Sequence, residues 1–186
     1  MSRIPYPDPA SLSPTVRGYL DRAGLNVVRM MANASEPVFE GFGAFSGAFY
    51  RPSQLDPLLR EVGILRVGHL SKSRYEIFHH EGLGRQLGLT DAQIAAIAVG
   101  RPDASLTPAQ QAVMAFADDI ILNVRAGDDT LDAVRSHISD QALVDLIMVI
   151  GLYMTISRLL ETAGVELDTA PLAKETVDQS GGVTTS

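Results

Sequence analysis

Between Asp145 and Arg158 the chain reads L-I-M-V-I-G-L-Y-M-T-I-S, twelve residues without a charge. A bilayer span needs about 20 apolar residues, so the segment is too short to cross a membrane. A short helix that is apolar on every side belongs at the centre of a core or in an interface between subunits. The rest of the fold has to be arranged around it. With 186 residues and 46% hydrophobic composition, the chain can form one domain with a sizeable core, or two small helical halves sharing one. The opening M-S-R-I-P-Y-P-D-P lacks the apolar run of a secretion signal, which points to a cytoplasmic protein.

Most of the remaining segments carry helix punctuation. Ser13 followed by Pro14, and Asp56 followed by Pro57, are N-cap and first-turn signals. T-D-A-Q at Thr90 and T-P-A-Q at Thr107 fit the capping box, a hydroxyl with a Gln three residues on. The last long helix is expected from about Ser139 to Ala163, stopped by Gly164. No alternating run bounded by turns suggests a sheet. The expectation is an all-α protein of about seven or eight helices: an extended, proline-rich arm over 1–12, a helical domain over 13–167, and a flexible tail over 168–186.

Several chemistries are excluded early. The chain has no cysteine, which removes disulfides, thiolate metal sites and thiol redox chemistry. A net charge of -7 without a Lys/Arg cluster argues against nucleic acid as a partner. Gly41-Phe-Gly-Ala-Phe-Ser-Gly47 misses the dinucleotide spacing, because position 46 is Ser and no strand precedes it; close helix packing is the better account. Glu76-Ile-Phe-His79 is the E-x-x-H unit of helical di-iron sites, but it has no second copy and H-E-x-x-H is missing. No metal and no cofactor is expected.

The chemistry concentrates in S-K-S-R-Y-E-I-F-H-H-E-G, Ser71 to Gly82. On a helix starting near Ser73, the side chains of Ser73, Glu76 and His80 fall on one stripe, with Tyr75 and His79 on its neighbour. A carboxylate one turn from an imidazole can fix its tautomer and raise its pKa, the minimal arrangement for acid–base work near neutral pH. Glu61 lies on an otherwise apolar face of the preceding helix, and a short connection would bring it opposite Glu76 and His80. Bland readings stand beside these. Ser73-x-x-Glu76 is itself a capping box, and Glu61 could simply pair with a buried arginine such as Arg66 or Arg158. His69 and His137 read as structural.

L-R-E-V-G-I-L-R-V-G-H-L-S-K-S-R-Y-E-I-F-H-H-E, followed by G-L-G-R-Q-L-G-L-T-D-A-Q-I-A-A-I, resembles the carboxymuconolactone decarboxylase family, whose superfamily includes the alkyl hydroperoxidase AhpD. The resemblance implies an AhpD-like helical fold and a homo-oligomer, a trimer, hexamer or dimer. In the peroxidase branch a glutamate, a C-x-x-C pair and a histidine do the work. By resemblance these positions are Glu61, Ser73 with Glu76, and His80, so the acid–base frame is kept and both sulfurs are gone. The decarboxylase branch commonly has Tyr-Glu before the histidine, matched by Tyr75-Glu76, whereas its usual Trp is Ile77 here. The implied function is a cofactor-free lyase, decarboxylase-like, on a small lactone or carboxylic acid. Glu61, Glu76 and His80 would be catalytic, with Ser73, Tyr75 and His79 as substrate-binding candidates and Lys72 and Arg74 near the entrance. A peroxidase-related protein using a partner's thiols, and a non-catalytic binding or scaffold protein, are the alternatives. Nucleic acid and membrane are not expected partners.

Overall fold

Five helix starts are fixed by the side chain that precedes them. In the computed structural model, which describes residues 2–173, Ser13 Oγ accepts the Val16 amide at 3.2 Å and opens α1 (Pro14–Ala23). Asp56 accepts the Leu58 and Leu59 amides and opens α4 (Pro57–Ser71). Thr90 and Thr107 form complete capping boxes with Gln93 and Gln110, opening α6 (Asp91–Val99) and α7 (Pro108–Asn123). Ser139 caps α9 (Asp140–Ala163), which Gly164 ends in the left-handed region at φ 66°. The other helices are α2 (Asn26–Met31), α3 (Glu36–Ala48), α5 (Arg74–Leu87) and α8 (Asp128–Arg135). Among the described residues there are nine α-helices, one 3-10 turn at Pro9–Ser11 and no strand.

The all-α expectation holds, with at least one helix more than expected. Helices α2, α3 and α8 are preceded by Leu25, Ser35 and Gly127, none of which caps through its side chain. The starts of α2 and α8 therefore lack the strongest local signal, while Ser35 is a cap residue by type that makes no cap bond.

The helix at the centre is α4, which packs against α9, α5, α7 and α6. Ten consecutive residues, Leu59 to Gly68, are buried, so no face of it meets water. Two glycines let its neighbours come close: a Cβ on Gly63 would sit 3.0 Å from Leu146 Cδ1 of α9, and one on Gly68 would sit 3.3 Å from Ile77 of α5. The twelve-residue apolar segment joins the core, one of the two places expected of it, with Leu146, Val149, Ile150, Leu152, Tyr153 and Ile156 buried, although α4 rather than this segment is enclosed on every side. Helix α9 runs for 24 residues, long and apolar enough by length and composition to cross a membrane, yet half of its most apolar window is buried in the protein. One face packs on α4; the other leaves Val144, Ile147 and Met148 exposed.

Helices α1 to α3 form a small cluster of their own around Val16, Ala32 and Phe39, lying over the end of the main core. At the N-terminus, the Arg3 and Ile4 amides donate to Ala163 O. After α9 the chain returns as a strap to residue 173. The tail expected to be loose from residue 168 is bound to the fold over 168–173, because Asp168 and Leu172 hydrogen-bond to α2 and α5; the rest of that expected tail lies outside the described residues.

Candidate functional site

The link between α4 and α5 determines what Glu76 does. Lys72 adopts φ 54°, and the Ser73 amide donates back to Gly68 O at 2.9 Å, closing the end of α4. A capping box would need that same amide to donate to Glu76. It is already used, and Ser73 makes no side-chain cap, so the expected capping box does not form and Glu76 is free to turn toward His80. Ser73 itself is fully buried, away from the cavity described below, with Oγ unpartnered.

The tight link folds α5 back beside α4. Gly68 meets Glu76 and Ile77, while one end of α4 brings Glu61 to His80, so the two helices run in opposite directions. His80 Nδ1 lies 2.6 Å from Glu61 Oε2, and Nε2 lies 3.3 Å from Glu76 Oε2. Neither Arg66 nor Arg158 pairs with Glu61: Arg66 is bound by Asp118 and by Ile97 O, and Arg158 donates to Met154 O. A buried arginine does pair with Glu61, as the bland reading expected, but it is Arg60, whose Nε–H donates to the second carboxylate oxygen at 3.2 Å.

Glu61 is fully buried and Glu76 and His80 nearly so. Burial alone would lower the imidazole pKa, but the charges and hydrogen bonds of Glu61 and Glu76 outweigh it and raise His80 to about 9. His80 is therefore an imidazolium at neutral pH, hydrogen-bonded through Nδ1 to Glu61 and ion-paired through Nε2 with Glu76. No group of three or more His, Asp and Glu among the described residues is placed to hold a metal.

A cavity of about 100 Å³ opens beside this group. Its walls include Glu76, His80, Tyr75 and His79 from α5 and Tyr153 and Ile156 from α9; its cover comes from Val27, Val28 and Met31 of α2 and Phe39, Phe42 and Gly43 of α3. Gly43, inside the glycine-rich stretch, faces Tyr19 and this cavity rather than serving only helix packing. Glu61 is not on the wall; it stands behind His80. Tyr153 meets the His80 ring edge to face, with centroids 4.8 Å apart, and its hydroxyl lies 2.5 Å from that of Tyr50. Burial, aided by Glu61 and Glu76, pushes both phenols upward.

Tyr75 and His79 reach the wall, but their polar atoms are engaged elsewhere. Tyr75 donates to Asp168 Oδ2 and accepts the Val27 amide at 3.2 Å. His79 Nδ1 accepts the Leu172 amide at 2.9 Å, which places its hydrogen on Nε2, 3.0 Å from the same Asp168 oxygen. Asp168 Oδ1 accepts the Asn26 amide at 3.0 Å. Burial would raise this carboxyl; the bonds from His79, Tyr75 and Asn26 hold it below the usual carboxylate range. Four residues of the neighbourhood were not singled out from sequence: Tyr50, Arg60, Tyr153 and Asp168. Of these only Tyr153, the one aromatic residue in an apolar run, had a signal, since a buried tyrosine seeks a partner.

Residues 36–119 match the carboxymuconolactone decarboxylase family, a stretch that contains Glu61, Glu76 and His80. A search of curated proteins finds no significant match. Among solved structures, an alkylhydroperoxidase AhpD core, an uncharacterized peroxidase-related protein from Ralstonia eutropha JMP134, matches with a TM-score of 0.78 at 22% identity, covering 90% of this chain and 93% of that one. A putative antioxidant defence protein AhpD from Agrobacterium tumefaciens, of unknown function, matches with a TM-score of 0.67 at 22% identity, over 74% of this chain and 95% of the other. The debrominase Bmp8, solved in complex with 2,3,4-tribromopyrrole, matches with a TM-score of 0.70 at 14% identity, over 91% and 92%. At such identities the likeness is one of fold. Residues 36–119 thus match the carboxymuconolactone decarboxylase family, and the chain has an AhpD-like helical fold without a C-x-x-C pair.

Proposed function

We propose that the chain is a cofactor-free lyase, decarboxylase-like, that acts on a small lactone or carboxylic acid by acid–base catalysis. The observation that carries the reading is His80, held as an imidazolium between Glu61 and Glu76 at the wall of a cavity. Loss of carbon dioxide from an activated acid, or removal of a hydrogen beside a carbonyl, leaves an enolate-like anion that needs a proton. The two bonds to His80 differ in a useful way. The short one, to Glu61, lies away from the cavity and sets the ring's orientation. The long one, to Glu76, lies on the cavity side, so the Nε2 proton is the one available to substrate. Glu76 then serves as base or as the acceptor that reorients the relay, and Glu61 is a positioning residue.

The same proposal includes a cytoplasmic location and self-association through the exposed face of α9. Burial of Glu76 and His80 against a cavity favours an enzyme over a scaffold protein. With no cysteine in the chain, a peroxidase-related role would depend entirely on a partner's thiols.

The test is turnover of a panel of small lactones and carboxylic acids in D₂O, with deuterium read at the carbon that gains the proton. On the substrate so found, His80→Ala and Glu76→Gln should each lower kcat by about 10²-fold or more, with the helical circular dichroism unchanged. Turnover that survives both substitutions would show the assignment to be wrong.

A further inference from the structure

The Tyr50–Tyr153 pair has one hydrogen more than it uses. Two hydroxyls carry two hydrogens, and the bond between them, 2.5 Å long, consumes one. Whichever oxygen is the donor, one O–H is left over, and both tyrosines line the cavity that Glu76 and His80 share. The pair is held firmly. The Arg60 guanidinium stacks over the Tyr50 ring, 4.6 Å from its centroid, while bonded to Phe49 O and to Glu61; Tyr153 is buried and set against the His80 ring. A fixed donor beside a proton source is the arrangement that binds an oxygen on which negative charge grows.

The lining also says what that oxygen belongs to. Among the described residues, no arginine or lysine lines the cavity, and Glu76 presents a carboxyl group to it. The positive charge of His80 already faces two glutamates. A second carboxylate brought into this apolar space would lack a cation of its own and would meet Glu76.

We infer that the Tyr50–Tyr153 pair binds the carbonyl oxygen of a small uncharged compound, of the cyclic ketone or ester class, and that the site rejects free carboxylates. This rests on the acid–base reading above, narrows its two substrate classes to one, and selects removal of a proton beside the carbonyl over loss of carbon dioxide, because an uncharged ketone or ester carries no carboxylate to lose. The size agrees: about 100 Å³ is near the roughly 150 Å³ apolar cavity that takes up benzene in another protein, so a single ring fills it.

The test is calorimetric or ligand-observed NMR binding of two probes of equal heavy-atom count, cyclohexanone and cyclobutanecarboxylate, with benzene as an apolar control. Cyclohexanone should bind at least about tenfold more tightly than the carboxylate. The double variant Tyr50→Phe/Tyr153→Phe should lose about tenfold in cyclohexanone affinity, the value of one hydrogen bond, and keep its benzene binding, which shows the cavity intact. Three results would overturn the inference: the carboxylate binding as well as the ketone, the double variant binding cyclohexanone unchanged, or neither oxygenated probe binding. Cyclohexanone binding that depends on the tyrosines, without any deuterium exchange or turnover in the wild type, would overturn the acid–base reading and leave this one standing.

Discussion

Around His80 the question is which of two opposed effects sets the charge. Removal from water favours the neutral ring, while two carboxylates at 2.6 and 3.3 Å favour the imidazolium; the second effect wins, at about 9 against a usual 6.5. A group whose pKa rises on folding stabilises the fold fully below its unfolded value and loses that contribution as pH climbs through the folded one. His80 therefore stabilises the protein at pH 6 and ceases to do so above about pH 9, and proton donation from it falls over the same interval. A titration of the four histidines by imidazole carbon shifts checks this: one ring should titrate near 9, and Glu61→Gln should bring it down by a unit or more. A His80 midpoint below 7 in the wild type would contradict the account. At this scale much was legible. The spacing of Glu76 and His80 put them on one stripe and left Glu61 open between an arginine pair and this site; the family resemblance was what assigned Glu61 to it, and the structure brings the three together. The capping box at Ser73 was legible too and yet did not form, because a competing acceptor, Gly68 O, took the amide it required. Such competition between neighbouring helix ends has no signature in either helix alone.

At the scale of elements, Asp168 links three pieces of chain that local sequence does not connect. One oxygen accepts the first amide of α2, and the other is shared by Tyr75 and His79 of α5, while the carboxylate itself sits on the strap after α9. Tyr75 accepts the next amide of α2. Helix α2 thus receives its N-terminal caps from residues far along the chain, which is why no start signal precedes it and why sequence reading passed over it. The starts at Ser13, Asp56, Thr90, Thr107 and Ser139 were readable because cap and helix are adjacent. The consequence concerns the cavity, since α2 supplies part of its cover. Asp168→Asn keeps the size of the side chain but weakens bonds to a charged acceptor, each worth about 1.5–3 kcal/mol. It should lower stability by roughly 1–3 kcal/mol in denaturant titration and speed amide hydrogen exchange in Asn26–Met31 more than in α4. Equal protection of α2 in the variant and the wild type would mean that Asp168 does not hold the cover.

For the whole molecule, the surprise lies in which helix is buried on all sides. Uniform apolarity marked the segment in α9 for the core or for a subunit interface, and one face of it does lie in the core, yet the helix with no face in water is α4, with Arg60, Glu61 and Arg66 among its residues. Charge does not keep a helix at the surface when each charge finds a partner inside, and those partners come from α5, α7 and the loop before α4, which no pattern within α4 reveals. The outer face of α9 is correspondingly in excess of what the monomer needs. Val144, Ile147 and Met148 are exposed, a Cβ on Gly151 would meet nothing within 4 Å, and Ile147, Gly151 and Met154 form one wall of a groove of about 470 Å³ facing Ile120, Val124 and Leu131. Scattered exposed apolar residues are ordinary, but a continuous strip along one helix marks a contact. A single patch that buries itself against its own copy about a twofold axis is the simplest closed assembly, and the missing side chain at Gly151 gives two such helices room to approach. In sedimentation velocity the wild type should run heavier than the 19.9 kDa chain. Ile147→Glu, which places a charge in the middle of the strip at a position already 41% exposed, should shift it to the single-chain mass with its helical signal intact. If the wild type sediments as a single chain at tens of micromolar, the face of α9 serves some other contact or none.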